Sequence, residues 1–155
     1  MQSGIWRLAA VAIAVAGAAA YLFVVNQGPN LLFKPDDASV VAEGRRIYGE
    51  YCAACHGDNL EGQPDWQTPL ENGRMPAPPH DKDGHTWHHS ERLLFEITKW
   101  GVEKYIGNDY QSDMAAYEDI LTDEEIIAVL SYIKSTWPAQ TRERHDQISV
   151  KDAGS

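Results

Sequence analysis

The sequence predicts an all-α protein in which three core helices surround one long irregular loop, with a membrane-spanning helix in front of them. Three segments combine apolar residues at helical spacing with residues that cap helix N-termini. The stretch between the first two segments holds five prolines and several glycines, which a long helix does not tolerate. An uncharged apolar run of 18 residues lies near the N-terminus. The chain of 155 residues is long enough for one domain with a modest core.

The apolar run extends from Leu8 to Val25, and as a helix it would be about 27 Å long, close to the roughly 30 Å of a bilayer's hydrocarbon core. A cleaved signal peptide is the alternative, because residues 18–20 are alanines. The next residues, YLFVV, stay apolar, which favours an uncleaved anchor over residues 1–25. Arg7 is the basic residue that precedes the run, so we expect the N-terminus inside and the rest of the chain outside the cytoplasm.

Residues 26–37 contain two prolines and a glycine, a composition that is typical of a linker. The first core helix follows in the segment SVVAEGRRIYGEYC, with Ser39 as its expected N-cap. Apolar residues recur along this segment at the spacing of one helix face: Val40, Val41, Ile47, Tyr48 and Tyr51.

Two later segments predict the other core helices. The segment SERLLFEITKWG has Ser90 as its N-cap, and Gly101 ends it. The segment TDEEIIAVLSYIK opens with Thr122 and Glu125, which match a capping box. Its apolar residues form a stripe on one face: Ile126, Ile127, Leu130 and Ile133.

These three helices define a domain over residues 38–138, and we expect the polar residues 139–155 to form a flexible tail. Three short helices and one long loop bury little apolar surface by themselves. We therefore expect a bound group to complete the core.

The chain is acidic, with a formal net charge of −10, and residues 36–137 hold 20 Asp and Glu against 8 Lys and Arg. A nucleic-acid partner would require a basic face, so the composition argues against that class of function. An acidic domain suits a protein partner with a basic docking patch, which it would meet at a salt-dependent rate. The alternative is that the charge only keeps the domain soluble.

Both cysteines of the chain, Cys52 and Cys55, are three positions apart, and His56 follows the second directly. A structural zinc site needs four ligands, and a thioredoxin-like redox pair needs a βαβ setting that this sequence lacks. A disulfide across two intervening residues closes a loop too small to stabilise much. Cys-x-x-Cys-His is instead the pattern of covalent haem attachment.

The chemistry of haem attachment explains this spacing. Two thiols add to the two vinyl groups of one macrocycle, and the imidazole of the next residue reaches the iron from the same side. The sequence thus predicts one covalent haem c, with Cys52 and Cys55 as attachment points and His56 as the proximal iron ligand. The haem would supply the apolar body that the core lacks. The predicted export of the domain is consistent with haem attachment, which takes place outside the cytoplasm.

Over residues 38–137 the chain resembles the class I c-type cytochromes, in particular the membrane-anchored bacterial ones with one haem. In that family a helix ends in Cys-x-x-Cys-His, a long loop follows, and a methionine shortly before the C-terminal helix is the distal ligand. Met114 matches this position, and Tyr117 matches the aromatic residue of the family's Met-Pro-x-aromatic segment, with alanine in place of the proline. The resemblance implies Met114 as the distal iron ligand. Met75, which a proline follows in the mid-chain loop, is the alternative.

The first and last helices of this family cross closely, with a glycine of one helix against an aromatic residue of the other. The resemblance therefore implies that the first helix uses Gly44 and Tyr48 at the crossing. On the last helix it implies contacts from Leu130, Tyr132 and Ile133.

The family also orients its proximal histidine with a backbone carbonyl from the loop that follows. The resemblance implies such a hydrogen bond to His56, as the orientation of metal-binding histidines requires. Pro64 and Pro69 are the candidates nearest in sequence.

The segment PPHDKDGHTWHHSE is rich in histidine, and it leaves three alternatives open. Trp87 and one histidine could pack over a haem edge and hydrogen-bond a propionate. A second site for copper or zinc could form, since imidazole suits both ions, or the loop could face solvent without a role. The candidate ligands of a second metal are His85, His88 and His89, and the segment also contains His80.

The resemblance implies an electron-transfer protein rather than an enzyme, on the outer, periplasmic face of a bacterial cytoplasmic membrane. It implies redox partners such as a quinol-oxidising complex and a haem–copper oxidase. Two alternatives belong to other classes: a haem-based sensor in which a small ligand replaces Met114, and a copper-binding protein that uses the histidine-rich loop.

Overall fold

The computed structural model describes residues 31–107 and 110–155. Within these ranges the regular structure is helical throughout, so the predicted all-α class is observed there. The predicted anchor, residues 1–25, and the linker up to residue 30 lie outside the described residues. In the part that is described, no helix combines the length and the apolar character that crossing a membrane requires.

The three predicted core helices are present, together with shorter elements between them and a further helix at the C-terminus. In chain order the elements are α1 (Ala38–Tyr51), α2 (Ala53–His56), a 3₁₀ turn (Thr86–His88), α3 (Glu91–Trp100), α4 (Glu103–Ile106), α5 (Asp123–Ser135) and α6 (Ala139–Ala153).

The helix boundaries follow local capping chemistry. The Thr122–Glu125 capping box opens α5 as predicted, with both reciprocal hydrogen bonds present. Ser90 caps α3, and Gly101 ends it. The expected N-cap of α1 was wrong by two residues, because the carboxylate of Asp37 accepts the N–H of Ser39 at 3.0 Å and that of Val40 at 3.2 Å.

Helices α1 and α5 cross closely at Gly44, as the resemblance implied. A Cβ atom at Gly44 would clash with the carbonyl oxygen of Ala128 and would lie 2.9 Å from Cβ of Tyr132. The rings of Tyr48 and Tyr132 meet beside this point, with centroids 5.5 Å apart. The absence of a side chain at Gly44 therefore lets the two backbones approach.

The expectation of a flexible tail after residue 138 was wrong. Residues Ala139–Ala153 form α6, and its side chains bind the rest of the domain through polar contacts. Ser149 Oγ accepts the N–H of Glu91 at 3.1 Å, and the Asp152 carboxylate accepts hydrogen bonds from Ser90 and Arg92 at 2.9 Å. These contacts join residues about 60 positions apart, so the polar composition of the segment gave no sign of them.

The described part of the predicted linker is bound to the domain rather than free. The N–H groups of Leu32 and Phe33 donate to the carboxylate of Glu91 at 2.5 and 3.0 Å. The N–H of Lys34 donates to Ser131 Oγ at 2.9 Å. Because Phe33 is also buried in the core, this stretch forms a strap that joins the start of α3 to the third turn of α5.

A buried ion pair lies beneath this strap. The ammonium of Lys134 donates to the carboxylate of Glu91 at 2.6 Å, and each side chain is only 2% exposed. Lys134 also pairs with Asp146 of α6. One network thus joins the strap, α3, α5 and α6, and each charge has a partner, as burial requires.

The imidazole of His145 is fully buried beside this network, between Phe33 and Trp137. Among the described residues neither of its ring nitrogens has a hydrogen-bond partner. Burial, and then the charge of Lys134, lower the pKa of His145 to about 4. The folded protein therefore holds this side chain in its neutral form at pH 7.

Substitution of the two glycines of α1 tests the close crossing. Gly44→Ala should lower the free energy of unfolding by about 1–3 kcal/mol, because the added methyl group overlaps the backbone of α5. Gly49→Ala is the matched control: nothing lies within 4 Å of a Cβ there, so it should raise stability by about 0.5–1 kcal/mol. Urea unfolding followed by circular dichroism measures both, and equal effects of the two substitutions would contradict the crossing.

The pH dependence of stability tests the burial of His145. Its folded-state pKa of about 4 lies below the ordinary 6.5. Between these two pH values the unfolded chain therefore binds one proton more at His145 than the folded protein does. The free energy of unfolding should therefore fall as the pH falls from about 6.5 to about 4. The variant His145→Leu should lose less stability over the same interval, and parallel pH profiles for the two proteins would show that His145 is not buried in its neutral form.

Candidate functional site

The Cys-x-x-Cys-His motif forms one helical turn at the end of α1. The N–H groups of Cys55 and His56 both donate to the carbonyl oxygen of Cys52, at 3.1 and 2.9 Å. Residues at positions i, i+3 and i+4 lie on one face of such a turn, so the two thiols and the imidazole share a side. Both thiols are free; Cys55 is exposed, and Cys52 is half-buried against the apolar core.

The imidazole of His56 is held in one orientation by the loop. Its Nδ1 lies 2.8 Å from the carbonyl oxygen of Pro78 and donates to it, which leaves the Nε2 lone pair for a metal ion. The expectation that Pro64 or Pro69 supplies this carbonyl was wrong, because the carbonyl that reaches Nδ1 of His56 is that of Pro78. Burial lowers the pKa of His56, which favours the neutral form that binds metals.

His80 is a site residue that the sequence did not single out among the loop histidines. Its ring stacks on that of His56, with centroids 4.0 Å apart and an interplanar angle of 24°. Its Nδ1 lies 2.5 Å from Thr86 Oγ1, and its carbonyl oxygen accepts the indole N–H of Trp137 at 2.7 Å. The available signal was its place two residues after Pro78, in an extended Pro-Pro segment.

The segment that carries Met114 is fixed beside the cysteines through Tyr117. The hydroxyl of Tyr117 donates to the carbonyl oxygen of Tyr51 at 2.9 Å, at the end of α1. Its N–H is bound to the last turn of α3, at Lys99. Burial, followed by the neighbouring thiols of Cys52 and Cys55, raises the pKa of Tyr117. The Met114 segment is therefore anchored at the cysteine end of the domain.

Met75 lies close to the same segment. The guanidinium of Arg74 pairs with the carboxylate of Asp113, so each candidate methionine is the direct neighbour of one member of this ion pair. Met75 and Met114 are both half-buried. The structure thus brings both candidate sulfur ligands to one region, and the choice of Met114 stays a prediction.

The indole N–H of Trp87 makes its hydrogen bond within its own loop. Its Nε1–H donates to the carbonyl oxygen of Lys82 at 3.0 Å, and the guanidinium of Arg144 lies 5.2 Å from its ring centroid. The donor that we expected to reach a haem propionate is therefore already paired. A contact of Trp87 with a haem propionate stays a prediction, and the observed contacts of its ring join the histidine-rich loop to α6.

Of the three predicted ligands of a second metal, two have ring nitrogens at contact distance, and the third, His88, lies with its ring centroid 5.8 Å from that of His85. The Nε2 atoms of His85 and His89 are 2.9 Å apart. The ring of His88 instead stacks on Trp87, with centroids 3.8 Å apart. The structure therefore brings together two of the three predicted imidazoles.

The described residues fit a covalently bound haem. Two free thiols and one oriented imidazole share a face of a single turn, and the Nε2 lone pair of His56 is not used by the loop. Cys52 belongs to the apolar cluster that also includes Phe95 and Tyr117, which suits a flat apolar macrocycle. The imidazole of His56 and the thioethers of Met75 and Met114 are side chains of the types that bind haem iron.

Comparisons with known proteins agree with this geometry. The family model for cytochrome c matches residues 41–137. A curated relative, the Cbb3-type cytochrome c oxidase subunit FixP of Bradyrhizobium diazoefficiens, is 25% identical over 130 residues, which cover 83% of this chain. The match covers 39% of that relative, so the chain spans about two fifths of its length. No solved structure matches the chain significantly.

Substitution of the two methionines tests the predicted distal ligand. Met114→Ala should lower the reduction potential and remove the far-red sulfur-to-iron absorption, because loss of a thioether ligand raises the relative stability of ferric iron. The shift should be a clear fraction of the roughly 0.8 V range over which axial ligands set haem potentials. Met75→Ala is the matched control and should leave both properties unchanged. The reverse pattern in spectroelectrochemistry would assign the ligand to Met75.

Proposed function

The chain belongs to the cytochrome c family, and we propose that it is a single-haem electron carrier at the outer face of a bacterial cytoplasmic membrane. Membership of the family implies covalent haem c and electron transfer. One observation above all supports the proposal: the turn from Cys52 to His56 presents two thiols and one oriented imidazole on one face. The chain has two cysteines, enough to attach a single haem.

We assign the haem contacts to four side chains. Cys52 and Cys55 would hold the group through thioether bonds, His56 would bind the iron through Nε2, and Met114 would bind it on the other face. When bound, haem c supplies a one-electron ferric–ferrous couple. The hydrogen bond to the carbonyl of Pro78 would hold the imidazole of His56 in one orientation toward the iron.

With His56 and Met114 both bound to the iron, no position would remain open for a substrate, so we propose a carrier and not an enzyme. Rigid supports favour this role, because a ligand set that stays in place during oxidation and reduction needs little rearrangement. Tyr117 ties the Met114 segment to the end of α1, and Pro78 ties the loop to His56. Both supports are hydrogen bonds to or from backbone groups, which hold their positions well.

We propose that the partners are respiratory complexes, namely a quinol-oxidising complex as donor and a haem–copper oxidase as acceptor. The name of the FixP relative, an oxidase subunit, supports an oxidase as one partner. The excess of acidic residues over residues 36–137 supports docking to a basic patch. The uncharged run from Leu8 to Val25 supports a membrane tether, which would keep the domain near such partners.

Ligand binding and oxidation kinetics test the carrier against the haem-based sensor. Ferrous full-length protein should show no spectral change with carbon monoxide, because Met114 stays bound to the iron. Met114→Ala is the positive control and should bind carbon monoxide. Membrane vesicles that contain the oxidase should oxidise the wild type at a rate that falls as ionic strength rises. Rapid carbon monoxide binding by the wild type would favour the sensor and contradict the carrier.

A further inference from the structure

The outer edge of the histidine-rich loop carries two imidazoles that the electron-carrier function does not use, of which His85 is exposed and His89 is half-buried. The Nε2 atoms of His85 and His89 face each other at 2.9 Å. We propose that these two side chains form a surface site for one divalent transition-metal ion, with Cu²⁺ as the preferred ion. The site would be separate from the haem ligands and does not depend on the proposed redox partners.

The distance between the two nitrogens is compatible with two neighbouring ligands of a square-planar ion such as Cu²⁺. Metal–nitrogen bonds of about 2.0 Å place neighbouring ligands of a square-planar ion about 2.8 Å apart, whereas a tetrahedral ion separates them by about 3.3 Å. The observed 2.9 Å is close to the square-planar value. Square-planar nitrogen coordination is typical of Cu²⁺ and Ni²⁺, and Cu²⁺ binds more tightly of the two.

The loop holds the pair in this arrangement before any ion arrives. The 3₁₀ turn Thr86–His88 brings positions 85 and 89 onto one side, with the N–H of His89 donating to the carbonyl of Thr86 at 3.2 Å. Thr86 is buried, and its hydroxyl lies 2.5 Å from Nδ1 of His80. Because the turn is fixed to the core, binding of an ion would cost little further conformational entropy.

The local electrostatics also favour a cation. Burial, and then the neighbouring imidazoles, lower the pKa of His85 and His89, so both rings are neutral at pH 7 and can donate lone pairs. The acidic domain attracts cations from solution. Without an ion, the two rings can share one N–H···N hydrogen bond, which in water contributes little and would give way to coordination.

His88 is not part of the proposed site, because its ring stacks on Trp87. Another cluster of potential ligands, formed by Glu91, His145 and Asp146, is also a poorer candidate. The ammonium of Lys134 is already bonded to both of its carboxylates and takes the place that an ion would need.

Copper titration of the untagged, full-length haem protein tests the site. One equivalent of Cu²⁺ should bind per protein, as equilibrium dialysis followed by metal analysis measures. Electron paramagnetic resonance of the ferrous protein should show a square-planar Cu²⁺ signal with splitting from two nitrogens, recorded under conditions in which the haem does not reduce the added ion. Zn²⁺ should compete weakly.

Substitutions test whether the imidazoles of His85 and His89 are the ligands that bind Cu²⁺. His85→Ala and His89→Ala should each weaken Cu²⁺ affinity by more than about tenfold, since the second imidazole binds intramolecularly. His88→Ala is the matched control and should change the affinity by less than about twofold, and all variants should keep the wild-type haem spectrum, which verifies folding. Absence of binding by the wild type, or equal binding by the double variant His85→Ala/His89→Ala, would overturn the site.

Discussion

The hydrogen bond between Nδ1 of His56 and the carbonyl of Pro78 is the interaction on which the functional site depends. It selects one tautomer, fixes the plane of the ring and leaves a single nitrogen for the iron. It also brings the long loop back to the end of α1, where His80 stacks on His56 and bonds to Thr86, the first residue of the turn between His85 and His89. One backbone acceptor thus organises both the haem side and the outer edge of this loop.

In the other half of the domain, a buried charge network joins the elements alongside the apolar packing of Phe33 and Trp137. Glu91 receives the strap at residues 32 and 33, and it shares Lys134 with Asp146 of α6. Breaking a buried pair leaves an unpaired charge, so these elements are held cooperatively. The close crossing of α1 and α5 supplies the rigid frame between this network and the haem site.

The sequence predicted those features that depend on neighbouring residues, such as the Thr122–Glu125 capping box and the Cys52–His56 turn. It also located the helix crossing, because a family resemblance pointed to Gly44. It missed α6, whose polar side chains bind residues far away in the chain, and it could not identify Pro78, because the path of a proline-rich loop depends on tertiary contacts. For the same reason the sequence analysis grouped His88 with His85 and His89, although the ring of His88 stacks on Trp87.

Intact-mass analysis of the natively exported protein, combined with a pyridine haemochrome spectrum, tests the central claim most directly. Attachment through both sulfurs predicts a single species heavier than the polypeptide by one haem, with the absorption band of a macrocycle whose two vinyl groups are saturated. The mass increment should be absent from a protein in which both cysteines are replaced. A colourless wild-type protein of polypeptide mass that is nonetheless fully helical and stable would contradict the account.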